Sequence, residues 1–82
     1  VQLDRDIDRT PFSGIAEEVR AAGGYEYVRV GDRWAVGLAK DLAPGDALTV
    51  KPLGIARDFA SRRTGDRYDT LWFAVLTPNA RP

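Results

Sequence analysis

Hydrophobic and polar residues alternate with a period of two along most of this chain, the signature of strands that bury one face. In YEYVRV (25–30), Tyr25, Tyr27 and Arg29 fall on one side, Val28 and Val30 on the other. The two-residue link Gly31-Asp32 leads into RWAVGL, and a glycine at its first position suits a type II′ hairpin turn. Upstream, Gly23-Gly24 joins YEYVRV to FSGIAEEVRAA. Its Ala and Glu content favours helix, but the direct join to a strand predicts one bent strand over 12–22, with Gly14 as its bend or bulge. AKDL has room for one helical turn, and Pro44-Gly45 fit the centre of a type II turn. DALTVKPLGIARDF predicts a long strand with Leu48, Val50 and Pro52 on one face and a bulge at Pro52 or Gly54. ASRRTGDRYD is polar and turn-rich, a loop or hairpin tip. DTLWFAVL is a last strand with both faces apolar, so both are expected to be covered.

Five strands with short links, the first and fourth long enough to bend, predict an all-β fold. The best match is a small five-stranded oligonucleotide/oligosaccharide-binding (OB) barrel with little or no helix; an SH3-like barrel is the nearest competitor. Residues 12–76 form the barrel. An extended N-terminal arm spans 1–11, and a tail spans 77–82. In the arm Asp4, Asp6 and Asp8 recur at period two, which favours extended backbone, and Pro11 ends the run.

Composition narrows the chemistry. With no cysteine or histidine, the chain has no disulfides, imidazole bases or His-type zinc sites. Its two serines, Ser13 and Ser61, have no imidazole to activate them, so the expectation is a protein without enzymatic activity. No apolar run approaches the ~18 residues of a membrane span. Twelve basic residues balance twelve acidic ones. A protein that lives by phosphate contacts usually shows a basic excess, whereas neutrality leaves self-association unopposed.

Across these blocks the chain resembles a family of small exported OB-fold proteins of the NrfJ-like kind. The residues that carry the likeness are Gly24, Tyr25, Tyr27 and Val28, then Trp34, Gly45 and Asp46. Asp58, Phe59, Ser61, Arg67, Tyr68 and Asp69 complete it. The likeness runs from about Phe12 to Leu76. It departs at Arg62, Arg63 and Thr64, where the family has Lys-Thr-Leu, and at Tyr68, which replaces Phe. The resemblance implies a non-enzymatic module outside the cytoplasm, periplasmic or extracellular, with its signal peptide already removed. It also implies polymerisation with calcium at subunit contacts, and some members stand beside a periplasmic redox enzyme.

Three candidate sites follow. Asp4, Asp6 and Asp8 supply hard oxygen ligands for Ca²⁺, but at ~6.5–7 Å spacing along a strand they need help to close a shell of six to eight. Asp66 and Asp69 are the candidates to complete it; the alternative is a solvated acidic tail. The second site is a subunit interface in which Leu3 and Ile7 of the arm insert into another copy's strand edge while Tyr25, Tyr27, Trp34 and Tyr68 pack. A head-to-tail contact of that kind that does not close gives a filament. The same surface, read as Tyr25, Tyr27, Arg29, Arg33 and Trp34, is the alternative grip for single-stranded nucleic acid. At the third, Arg62, Arg63 and Arg67 with Asp66 and Asp69 make a mixed-charge tip, for which a phosphate site is weaker than plain solvated ion pairs. The leading expectation is therefore an exported homopolymer, with copies of itself as partner and other exported proteins possible. Nucleic-acid binding and service to a periplasmic redox enzyme are the alternatives.

Overall fold

The computed structural model describes residues 3–39, 42–60 and 65–79. Within them six strands form, and no helix: β1 (Phe12–Ile15), β2 (Glu18–Ala22), β3 (Tyr25–Val30), β4 (Arg33–Leu38), β5 (Ala47–Ala60) and β6 (Arg67–Pro78). They make one sheet in the order β1-β5-β6-β4-β3-β2. Neighbours are antiparallel except β4 and β6, which run parallel over Trp34–Val36 and Leu71–Phe73.

The two outer strands of that order, β1 and β2, are separated in sequence by Ala16 and Glu17 alone. Chain connectivity therefore brings opposite edges of the sheet together, and the sheet curls into a barrel-like shell. The corner is tied on both sides. Ala16 N–H donates to Asp46 O at 2.8 Å and Gly45 N–H to Ala16 O at 2.7 Å, while Glu17 N–H donates to Arg29 O at 2.8 Å. The single bent strand expected over 12–22 thus appears as two, which raises the count from five to six. The bend falls at Ala16–Glu17, where the chain leaves β5 for β3, and not at Gly14. It also breaks the alternation: Phe12 and Ala16 point into the core before it, Val19 after it, and Ile15 is exposed.

The hairpins follow their turn residues. Gly23 and Gly24 both hold positive φ (61° and 89°), as a two-residue type I′ link requires, and set Ala22 opposite Tyr25. Gly31 has φ 63°. Gly45, at φ 95°, sits in a turn closed by Asp46 N–H to Ala43 O at 3.1 Å. The expected bulge in β5 lies between Pro52 and Gly54, leaving Leu53 without a partner on β6. β6 continues to Pro78, so Thr77 and Pro78 of the expected tail are strand, and Asn79 N–H bonds to Ala47 O at 2.9 Å. The helical turn expected in AKDL falls largely outside the described residues.

Two clusters fill the two faces of the sheet. Inside the shell lie Val28, Val30, Ala35, Leu48, Val50, Ala74 and Leu76, with Leu42 closing over them from beyond β4. On the outer face Ala22, Tyr27, Val36, Tyr68 and Leu71 form a second cluster, with Trp34, Phe59 and Phe73 against it.

Candidate interaction surfaces

The outer face of β2, β3 and β4 is the surface on which stacking rings were expected. Register assembles it: Arg20 stands opposite Tyr27, Tyr27 opposite Val36, and Arg29 opposite Trp34, so all share one face. Tyr68, near the start of β6, packs onto that face. Tyr68 stacks on Tyr27 with ring centroids 5.6 Å apart and planes 12° apart, and tilts against Trp34 at 5.2 Å. Strict alternation along β6 would place Tyr68 with Trp72. Asp58, in the left-handed region at φ 55°, lies across the hairpin at that step, and Phe59 and Tyr68 both join the cluster around Leu71. Arg67 Nε donates to Asp58 Oδ1 at 2.9 Å and ties β6 to β5 there.

Tyr27 (8% exposed) and Tyr68 (5%) are therefore core residues, not free contact residues. Arg20 completes the cover: its guanidinium lies 5.1 Å from the Trp34 ring and pairs with Asp66 and with Glu18 (3.1 Å). The hydrogen bond that Arg20 donates to Asp66 holds the Arg20 charge more firmly. The importance of Arg20 was missed, although counting back from Gly23-Gly24 places it beside Tyr27. Arg33 is on the other face, over the Phe12 and Trp72 rings at 4.7 and 5.2 Å, and so cannot act with Trp34. Arg29 is engaged by Glu17 and Glu18 at 3.5 and 3.4 Å. Only Tyr25 of the expected ring set is largely exposed. An open cleft of about 520 Å³ remains beside Trp34, and it carries Asp32, Asp66 and Asp69 along with Arg20 and Arg67. A mixed lining of that kind does not favour a polyanion.

The arm lies against its own sheet. Asp4 and Ile55 exchange both backbone hydrogen bonds, at 2.7 and 2.9 Å, on the edge of β5 beyond β1. Arg57 reaches Asp4 at 2.9 Å, and this bond, followed by the Asp6 N–H, holds the Asp4 carboxyl below the ordinary aspartate range. Leu3 and Ile7 are half-buried on their own chain, where insertion into another copy was expected. Nor is the arm evenly extended. Asp4 Oδ1 accepts from Asp6 N–H at 3.0 Å and Asp8 Oδ1 from Thr10 N–H at 2.9 Å, local bonds that turn the backbone. Counting from the Phe12–Val50 pair, an unbroken ladder would set Ile7 opposite Ile55; the structure sets Asp4 there, so three residues loop out.

The five aspartates expected around calcium do not converge. Asp4 is bound to Arg57, Asp8 to Thr10 and Asp66 to Arg20, and among the described residues no three acidic, His or Cys side chains gather as a metal site. Arg62 and Arg63 of the mixed-charge tip lie outside the described residues. No helix among the described residues is long and apolar enough to cross a membrane. The fold and surfaces define an all-β, barrel-like protein with a closed aromatic face and a lightly docked arm. No family model, curated protein or solved structure matches the chain.

Proposed function

We propose that the chain is an OB-type barrel acting as a non-enzymatic assembly module outside the cytoplasm, which links copies of itself by exchanging N-terminal arms. Taken as one bent strand, β1 and β2 leave five strands in a small barrel, which supports the OB assignment. The carrying observation is the Asp4–Ile55 pair: the β5 edge fits residues 3–5 of this sequence, yet bonds their backbone through one residue pair, with the Arg57–Asp4 ion pair beside it. An arm from a second copy would make the same bonds, so exchange costs little in contacts. Reciprocal exchange gives a closed dimer; head-to-tail exchange gives a filament.

The nucleic-acid alternative has less support, because Tyr27 and Tyr68 stack on each other and Arg33 faces away. The test uses the cysteine-free background. Asp4→Cys and Ile55→Cys are made in separate chains, mixed and oxidised. Cross-linked heterodimers in excess of those from a mixture with Lys51→Cys in place of Ile55→Cys support exchange. A disulfide that forms only when both substitutions are in one chain overturns it.

A further inference from the structure

Five large apolar side chains stand exposed among the described residues, and four of them form one stripe: Tyr25 (51%), Leu38 (67%), Leu53 (51%) and Val75 (47%). They come from β3, β4, β5 and β6. In sheet order the stripe reads Tyr25, Leu38, Val75, Leu53, one side chain from each of four neighbouring strands. Register explains the row. Tyr25 is opposite Leu38, Val36 is beside Phe73 in the parallel pair, and Leu38 and Val75 each follow two residues later on the same side. Leu53 is the bulged residue of β5, with no partner on β6. The row is roughly 14 Å long at the usual spacing of strands. It borders a shallow groove of about 370 Å³ floored by Val36, Gly37, Phe73 and Ala74, with no charged residue in its lining.

We propose that this stripe is a two-fold contact between copies of the chain, packed stripe against stripe. This surface is separate from the β5 edge and does not depend on arm exchange. Its four side chains leave on the order of 400 Å² of largely apolar surface in water, within the range of a monomer's largest patch, which is often functional. A standard interface buries about 800 Å² per partner, apolar at its centre and polar at its rim, and the stripe supplies such a centre. An uncharged lining offers an unlike partner nothing to select by charge, whereas an apolar row is complementary to itself about a two-fold axis. Two such faces pack as stacked sheets, ~10 Å apart. The exposed Lys51 stands directly opposite Val75, takes the β5 register position beside Leu53 and bounds the stripe at its β5 end.

The experiment is sedimentation velocity over a concentration series on the full chain and three full-chain variants. Leu38→Glu and Leu53→Glu place a charge in the stripe at exposed positions. Asp4→Pro removes the N–H that bonds to Ile55 and so disables the arm alone. Dimers in the parent and in Asp4→Pro, with dissociation constants raised at least tenfold by either glutamate, are the expected result; circular dichroism checks that each variant stays folded. Folded glutamate variants that associate as the parent does overturn the stripe contact. Loss of association in Asp4→Pro alone overturns it while leaving arm exchange standing. A parent that stays monomeric throughout overturns it as well and leaves the stripe to another partner.

Discussion

A methyl group placed on Gly14 would stand 2.4 Å from Cγ1 of Val30. β1 and β3 never pair, yet the curl of the sheet brings Gly14 and Val30 together across its interior. A Cβ cannot fit without moving one of them. Gly14→Ala is therefore expected to lower unfolding free energy by about 1–3 kcal/mol, the usual cost of overpacking. Val30→Ala in the same chain should recover part of that loss, so the double mutant is more stable than the two single effects summed. Urea titration of the four proteins measures both.

The Tyr27–Tyr68 stack separates a structural role from a binding one. Rings that hold the start of β6 against β3 must matter to stability in the absence of any ligand. Tyr68→Ala is expected to cost about 3–5 kcal/mol, as for other buried aromatics, and Tyr25→Ala less than 1 kcal/mol because its ring is exposed. Denaturant unfolding followed by Trp fluorescence checks both. Equal, small effects would mean that Tyr68 does not cover Tyr27.

Local patterns and long-range closure were not equally readable in the sequence. Leu48, Val50 and Pro52 point inward as their alternation requires, and Gly23-Gly24 and Pro44-Gly45 turn as their backbone freedom dictates. Each of these depends on residues a few positions apart. The parity change at Ala16–Glu17 depends instead on Phe12 pairing with Val50 while Val19 pairs with Val28, a demand of closure that no local pattern carries. The burial of Tyr27 has the same origin. Its alternation placed it correctly on the outer face, but the cover comes from Tyr68, forty-one residues on. The stripe was missed because Leu38, Leu53 and Val75 look like ordinary strand residues until the sheet order sets them side by side.

Gly54 decides where the arm can lie. A Cβ there would meet Asp4 O at 3.1 Å and Leu3 Cβ at 3.2 Å. β5 is held by β6 on its other side, so the arm is the part that yields. Gly54→Ala should leave the barrel folded and raise amide exchange at Asp4 and Ile55 at least tenfold, with Val28 unchanged. Equal protection in both proteins would show that the arm does not need the glycine.

Acid should release the same contact, and the sign follows from Asp4. The Arg57 bond and the Asp6 N–H lower the pKa of its carboxyl in the docked arm. The stabilisation is therefore fully present above the free aspartate value of about 3.9 and is lost as pH falls through the docked value below it. Docking should be constant from neutral pH down to about 4.5 and weaken below about pH 4. Because the pair is exposed, 1 M salt should also weaken it at neutral pH. The Ile55 amide shift in an NMR titration reports both. Asp4→Asn, which lacks the charge, should show a flat profile at the shift of the loosened arm; a titration step that persists in Asp4→Asn would assign the acid response to another carboxylate.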